Sequence, residues 1–236
     1  MIPMSILPAT ESPSSPSLAT AATPAEDARD LVDEAYSTLL DMIQLGKVPI
    51  NQPLQERNLA SALGVSRTPL REAMSRLIGA GFAGRTARGQ LIGPEPTLRQ
   101  YLEIFQMRVL LEGDAAAAAA TRMPPEQAAA LLEQVSEIRR RRQTTHEENH
   151  RIDNLLHDSI AQASGNRLMA QAIHDLRIKA RCFDRNGAPE RLIPGCEEHM
   201  TILQAILDRN PDAARAAMQA HLCNVRIGLV ARHTEI

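Results

Sequence analysis

Residues 55–76, Gln-Glu-Arg-Asn-Leu-Ala-Ser-Ala-Leu-Gly-Val-Ser-Arg-Thr-Pro-Leu-Arg-Glu-Ala-Met-Ser-Arg, constrain the fold of this chain more than any other stretch. The pattern predicts two short helices around a tight turn. Ala60, four positions before Gly64, lets the first helix lie close to its neighbour, and Gly64 can take the positive φ that ends it. Leu59, Leu63, Val65 and Leu70 fall where the two helices share a small core. Ser66 is a good N-cap, and Pro69 stands in the first turn, where its missing N–H costs little. The second helix then offers Arg67, Thr68 and Arg71 from its N-terminal end, the end that a recognition helix pushes into the major groove of DNA. A generic helix–glycine–helix corner would satisfy the leucines equally well, and it is the charge that favours DNA. Between Arg57 and Ile92 stand six arginines (57, 67, 71, 76, 85 and 88) and one acid, Glu72, a local balance of +5 in a chain whose net charge is −2.

The segment that follows adds a second device. Phe82-Ala83-Gly84-Arg85 and Gln90-Leu91-Ile92 can pair as a hairpin around Thr86-Ala87-Arg88-Gly89. Its tip places Arg88 beside a glycine, which suits close approach to a sugar-phosphate backbone or a minor groove. A short strand near Pro53-Leu54 would add an edge, and a helix over 26–46, with Leu31, Ala35, Leu39 and Met42 on one side, completes a winged helix-turn-helix domain of 26–93.

Composition narrows the rest. The chain has 236 residues, room for two domains, yet only two tyrosines, three phenylalanines and no tryptophan. The core must therefore be aliphatic, and single-strand or RNA platforms that stack bases on aromatic rings are disfavoured. Three unclustered cysteines (182, 196 and 223) argue for a reducing cytosol rather than a disulfide framework. No apolar run is long enough to span a membrane and no signal peptide is visible, so the expected location is cytoplasmic. Residues 1–25, rich in Pro, Ser, Ala and Thr, read as a disordered tail. Gly93-Pro94-Glu95-Pro96 marks a boundary, with 94–96 as a stiff linker. Beyond it, 97–236 reads as an all-α bundle of six helices near 97–121, 125–143, 148–164, 166–184, 190–208 and 211–233.

Polar residues on the apolar faces of those helices point to a second site. The stripe on 211–233 (Ala214, Ala217, Met218, Leu222, Val225, Leu229) contains His221, and the stripe on 197–208 (Ile202, Leu203, Ile206, Leu207) contains His199. Asp153 and His157 stand one turn apart at the edge of the stripe Ile152, Leu155, Leu156 and Ile160. Three imidazoles and a carboxylate aimed into one interior are costly to bury without a cation. Either they form a hydrogen-bonded polar core, or they hold a divalent metal with three nitrogens and one oxygen: zinc most simply, with nickel or manganese as alternatives. Ligation needs neutral imidazoles, so affinity should fall below about pH 6.5. Cys196 competes as a thiolate but lies at an expected frayed helix start. On 97–121, Arg108 and Glu112 also face the apolar side near Tyr101, Phe105 and Val109. They read as a buried ion pair, or Arg108 grips a small carboxylate that completes the metal shell. Arg177 is a weaker candidate for that grip. Arg139–Arg142 reads as a solvated helix end.

Leu-Gly-Val-Ser-Arg-Thr-Pro-Leu-Arg-Glu-Ala (63–73) closely resembles the helix-turn-helix core of the GntR family of bacterial transcription regulators, in its FadR-like branch. The likeness covers about residues 30–236. It implies that DNA is gripped by the residues matching Arg57, Ser66, Arg67, Thr68 and Arg71 and by the wing pair Arg88-Gly89. It also implies a C-terminal ligand-sensing helical domain of FCD type, in its shorter VanR-like form, whose metal ligands match Asp153, His157, His199 and His221. Members of the family usually dimerise through that domain and bind a small organic acid that alters operator affinity. One departure is Ile50-Asn51-Gln52, where the family has a Pro-Gly turn; Asn tolerates the left-handed region, so the turn should survive. The reading that follows is a homodimeric regulator, a repressor, on an inverted-repeat operator of double-stranded DNA. A metal-dependent enzyme acting on a small carboxylate is the alternative from another class, and it leaves the arginine-rich winged domain without a purpose. An architectural DNA binder leaves the interior histidines without one.

Overall fold

A computed structural model gives the fold and describes residues 24–44, 47–48, 53–93, 97–183 and 188–234. The expected tail as far as residue 23, the turn at Ile50-Asn51-Gln52 and the linker 94–96 lie outside the described residues, whereas Pro24 and Ala25 open the first helix.

Three helices make the first core: α1 (Pro24–Gln44), α2 (Glu56–Leu63) and α3 (Arg67–Gly79). Gly64 ends α2 at φ +66°, and the N–H of Val65 reaches back to the Ala60 carbonyl at 3.1 Å, so the turn is the one the spacing predicts. Ser66 stands at the N-cap of α3 in extended backbone, but its side chain makes no capping bond. The buried face of α1 is Val32, Ala35, Leu39 and Ile43 rather than the stripe expected from Leu31. Leu31 is 44% exposed, because two registers one residue apart are both apolar here and the one buried with the residues of α3 contains Ala35, Leu39 and Ile43. The wing pairs β1 (Gly84–Arg85) with β2 (Leu91–Ile92), Arg85 opposite Leu91, and Leu54 bridges to Leu91 from the other side. Thr86 closes the tip by accepting the Gly89 N–H at 2.9 Å, with Gly89 at φ +81°.

The second core is helical throughout. Its helices are α4 (Leu98–Arg122), α5 (Pro125–Arg141), α6 (His146–Ala163), α7 (Arg167–Phe183), α8 (Leu192–Leu207, entered by a 3₁₀ turn at Pro189–Arg191) and α9 (Pro211–Thr234). A capping box starts α4: Thr97 Oγ1 accepts the Gln100 N–H at 3.2 Å, and Gln100 Oε1 accepts the Thr97 N–H at 2.9 Å. Thr145 accepts the Glu148 N–H at 3.0 Å, so α6 begins at His146, before its apolar periodicity does. Small residues on α4 let α9 lie along it. Ala115, Ala116, Ala119 and Ala120 are fully buried, and a Cβ on Gly113 would stand 2.9 Å from Gln219. Leu155, expected on the buried stripe of α6, is instead 40% exposed. The arginine run is a solvated helix end, with Arg139 paired to Glu197 and Arg141 to Glu148, contacts that contribute little in water.

One helix belongs to both cores. From α7, Ile178 and Cys182 are buried with the residues of α1 and α3, while Ile173 and Ala180 are buried in the helical bundle. Lys179 adds its ammonium 5.7 Å from the centre of the Phe82 ring at the base of the wing.

Candidate functional site

The arginines expected to meet DNA are exposed, as such residues must be. Arg57 on α2, Ser66, Arg67, Thr68 and Arg71 at the start of α3, and Arg88 at the wing tip all lie on the surface, with Gly89 half-buried beside Arg88. They differ in what they already touch. Arg71 donates from Nε to Glu56 at 2.7 Å, a contact it would have to share with or exchange for a base edge. Arg76 is not available in the same way. It pairs with Asp33 at 2.5 Å and lies 4.6 Å over the Tyr36 ring, tying α3 to α1.

The four polar residues read from the helical wheels come together. Asp153 and His157 from α6, His199 from α8 and His221 from α9 each place a ligating atom within 4.8 Å of all the others. Asp153 Oδ1 is 3.7 Å from His157 Nε2 and 3.6 Å from His199 Nε2. Those separations are a few tenths of an ångström wider than the roughly 3.3 Å edge of a tetrahedron with bonds near 2.0–2.1 Å. The Nε2 atoms of His157 and His199 are buried and have no hydrogen-bond partner among the described residues, although a polar core would pair them. Donors of this kind fit a divalent cation, and the unpaired nitrogens are the observation that favours it over a hydrogen-bonded polar core.

Carboxylates behind the ring hold two of the imidazoles. His157 Nδ1 donates to Glu112 Oε2, and His221 Nδ1 donates to Glu198 Oε2 at 2.8 Å, which leaves the Nε2 of each ring unprotonated and facing inwards. Arg177 holds Asp153 from outside, donating to Oδ2 at 2.7 Å and to the backbone carbonyl at 3.2 Å. Burial opposes ionisation of Glu112, yet Arg108, His157 and Arg177 outweigh it and keep the carboxyl well below its usual range. Burial pushes His157 down to about 4, and burial with the neighbouring His221 pushes His199 down to about 3. Protons would therefore compete for these nitrogens only well below the pH 6.5 set by an ordinary imidazole.

A cavity of about 450 Å³ opens beside the ring, with Arg108, Asp153, His199 and His221 in its lining. Arg108 is buried, donates from Nε to Glu112 at 2.6 Å and stacks 4.7 Å over Phe105. The ion pair and the cavity position expected of it as alternatives are thus both present. Arg177, ranked second for the acid, is the residue that holds Asp153. Cys196 is not at a frayed end. It is buried within α8, its thiol is pushed up by burial, and it stands outside the four-residue ring.

Sequence reasoning missed the roles of Glu198, Arg181, Arg191 and His150. Glu198 is the immediate neighbour of His199, and about 100° of helix rotation separates adjacent side chains, so the wheel gives no hint that it serves His221 instead. The other three have polar spacing alone, and only the packing of α6, α7 and the 3₁₀ turn brings them to the cavity wall.

Known proteins are similar to the chain in both halves. The model of the FCD domain matches residues 103–224, and that of "Bacterial regulatory proteins, gntR family" matches residues 31–90. The Glc operon transcriptional activator of Escherichia coli (strain K12) is 25% identical over 232 residues, covering 86% of this chain and 90% of its own. The Nta operon transcriptional regulator of Aminobacter aminovorans is 28% identical over 172 residues, covering 72% and 80%. Among solved structures, Escherichia coli McbR shares the fold with a TM-score of 0.77 at 22% identity, covering 86% of this chain and 98% of its own.

Proposed function

The chain belongs to the GntR family of bacterial regulatory proteins, with an FCD domain in its C-terminal half, and on that premise we propose that a small organic acid, bound at a metal centre, sets its affinity for an operator. The family is one of DNA-binding transcription regulators, which sets aside the metal-dependent enzyme. The observation that carries the finer reading is the ring of Asp153, His157, His199 and His221 opening on a cavity lined by Arg108. These four residues would hold the metal, zinc in the first instance. When bound, the metal supplies a Lewis-acid partner for a carboxylate oxygen, and Arg108 supplies a cationic counterpart in a site shielded from water.

The division of labour is 26–93 for DNA and 97–236 for sensing and dimerisation, with 94–96 as the link. Arg57, Ser66, Arg67, Thr68, Arg71, Arg88 and Gly89 make the DNA surface. One winged domain reads few base pairs, so a two-fold dimer on an inverted repeat supplies the remaining specificity. Met107 and Leu110, 48% and 60% exposed one turn apart on α4, support a seam on the helical domain. Repression is the simpler sign of control, because a dimer seated over a promoter blocks it without further contacts. No helix among the described residues is long and apolar enough to cross a membrane, and the proposed setting is the cytoplasm.

The test is a mobility-shift titration on DNA upstream of the chain's own coding region, using metal-loaded protein with and without small carboxylic acids. The expected result is a single retarded dimer complex whose midpoint moves with the acid. If chelation leaves that response unchanged, the metal has no part in sensing.

A further inference from the structure

The cavity wall carries more positive charge than the ring and its supports account for. Arg108 is paired with Glu112, Arg177 with Asp153 and Arg191 with Glu198. Arg181, one turn beyond Arg177 on α7, lines the same cavity and reaches no carboxylate within ion-pair distance among the described residues. Its terminal nitrogen donates to the neutral amide oxygen of Asn154, and its Nε is shielded from solvent with no partner among the described residues. His150 lines the same wall, with its Nε2 equally shielded and unpartnered. Two guanidinium groups four residues apart on one helix repel each other, and burial with Arg177 brings Arg181 down to about 9. A charge so placed is costly unless an anion joins it.

We propose that the cavity is built for a dicarboxylate, one acid group at the metal ring and Arg108, the second at Arg181 and His150. This inference rests on the reading of an acid effector at the ring. Arg177, which touches the ring through Asp153, and Arg181 each donate from a terminal nitrogen to the same Asn154 amide oxygen, so the second anchor lies directly beside the ring's own support. A short diacid can keep one carboxylate at the ring and reach Arg181 with the other, whereas a monoacid of equal length would set a methyl group against a guanidinium whose Nε is shielded from solvent.

Calorimetric titration of the full-length, metal-loaded protein with glutarate and with valerate, which have the same number of carbons, tests the proposal; succinate and adipate bracket the length. Glutarate should bind at least tenfold more tightly than valerate. Arg181→Met should bring glutarate to the level of valerate without weakening valerate binding or lowering metal content, and those two readouts also show that the variant is folded. Valerate binding as well as all three diacids do, or Arg181→Met weakening both acids alike, would overturn the second anchor and leave the ring as the acid's site. Binding of none of the four would overturn the acid-effector reading and this inference with it.

Discussion

The two halves of the molecule use charge in opposite ways. In the winged domain the arginines proposed to meet DNA stand in water over an aliphatic core, and Arg71 alone of them makes an ion pair, with Glu56, among the described residues. In the helical domain the residues proposed for sensing are part of the core: His157 is 1% exposed, Glu112 2% and Arg177 4%. Each exists in its charge state only because the others do. A DNA surface must be reachable and fast to engage, and exposure supplies both. A sensor must gain enough from a small ligand to move an equilibrium, and only groups withdrawn from water are worth that much.

The strongest way to break this contrast is acid. In chelated protein the folded His157 titrates near 4, while the unfolded chain takes protons near 6.5. A depressed folded value means that the unfolded state binds more protons, so stability falls as pH drops from 6.5 towards 4. His157 alone accounts for a loss of about 3 kcal/mol over that window, from about 1.4 kcal/mol per pH unit. Thermal melts of metal-free protein across the window should show the decline, and metal should flatten it. A melting temperature independent of pH would mean that the imidazoles are not withdrawn from water as described.

Next in size is Glu112→Gln, which leaves Arg108 and His157 without their shared carboxylate. Uncoupling a buried ion pair should cost about 3–5 kcal/mol in denaturant unfolding, with metal affinity down about 10–100-fold. Arg67→Ala should leave stability within about 0.5 kcal/mol, and it should weaken operator binding by about 1–3 kcal/mol and relax preference at one base pair. If the DNA-facing change destabilises the fold more than the buried one does, the contrast drawn between the halves is wrong.

The subtler test concerns α7, where the halves meet. Ile178 is 2% exposed in the core of the winged domain, one residue from Arg177, which holds Asp153. Ile178→Val should cost only about 0.5–1.5 kcal/mol of stability and leave metal content unchanged. If α7 is the connection, the shift in operator affinity produced by the acid should shrink, by up to the 1–3 kcal/mol typical of such coupling. An undiminished response would place the connection elsewhere. Smallest of all, Arg57→Ala and Arg88→Ala should weaken all sequences alike and lower the slope of binding against salt by about one each.

Much of this was legible in the residue order, and the misses have a common cause. The turn at Gly64, the wing around Arg88-Gly89 and the six helices after residue 97 follow from local conformational preference and short-range periodicity. So does the inward direction of His157, His199 and His221, since a wheel drawn on one helix shows which way each side chain points relative to its own apolar stripe. The register of α1 was misread because Leu31 and Val32 each begin an acceptable apolar row, and only contact with α3 chooses between them. Leu155 was misread for the same kind of reason on α6.

What the order of residues determined by itself is therefore what depends on neighbours within a turn or two: element type, caps, the helix after the Gly64 turn with its exposed arginines, and the inward faces of the bundle. The tertiary structure alone decided who meets at those faces. Glu112 reaches His157 across 45 positions and Glu198 reaches His221 across 23. Arg181 is left on the cavity wall with no carboxylate within ion-pair distance among the described residues, and α7 is shared between two cores. A helix sets the direction of a side chain about its own axis, but the charge and shape found in that direction depend on how separate helices pack, and no local rule encodes that.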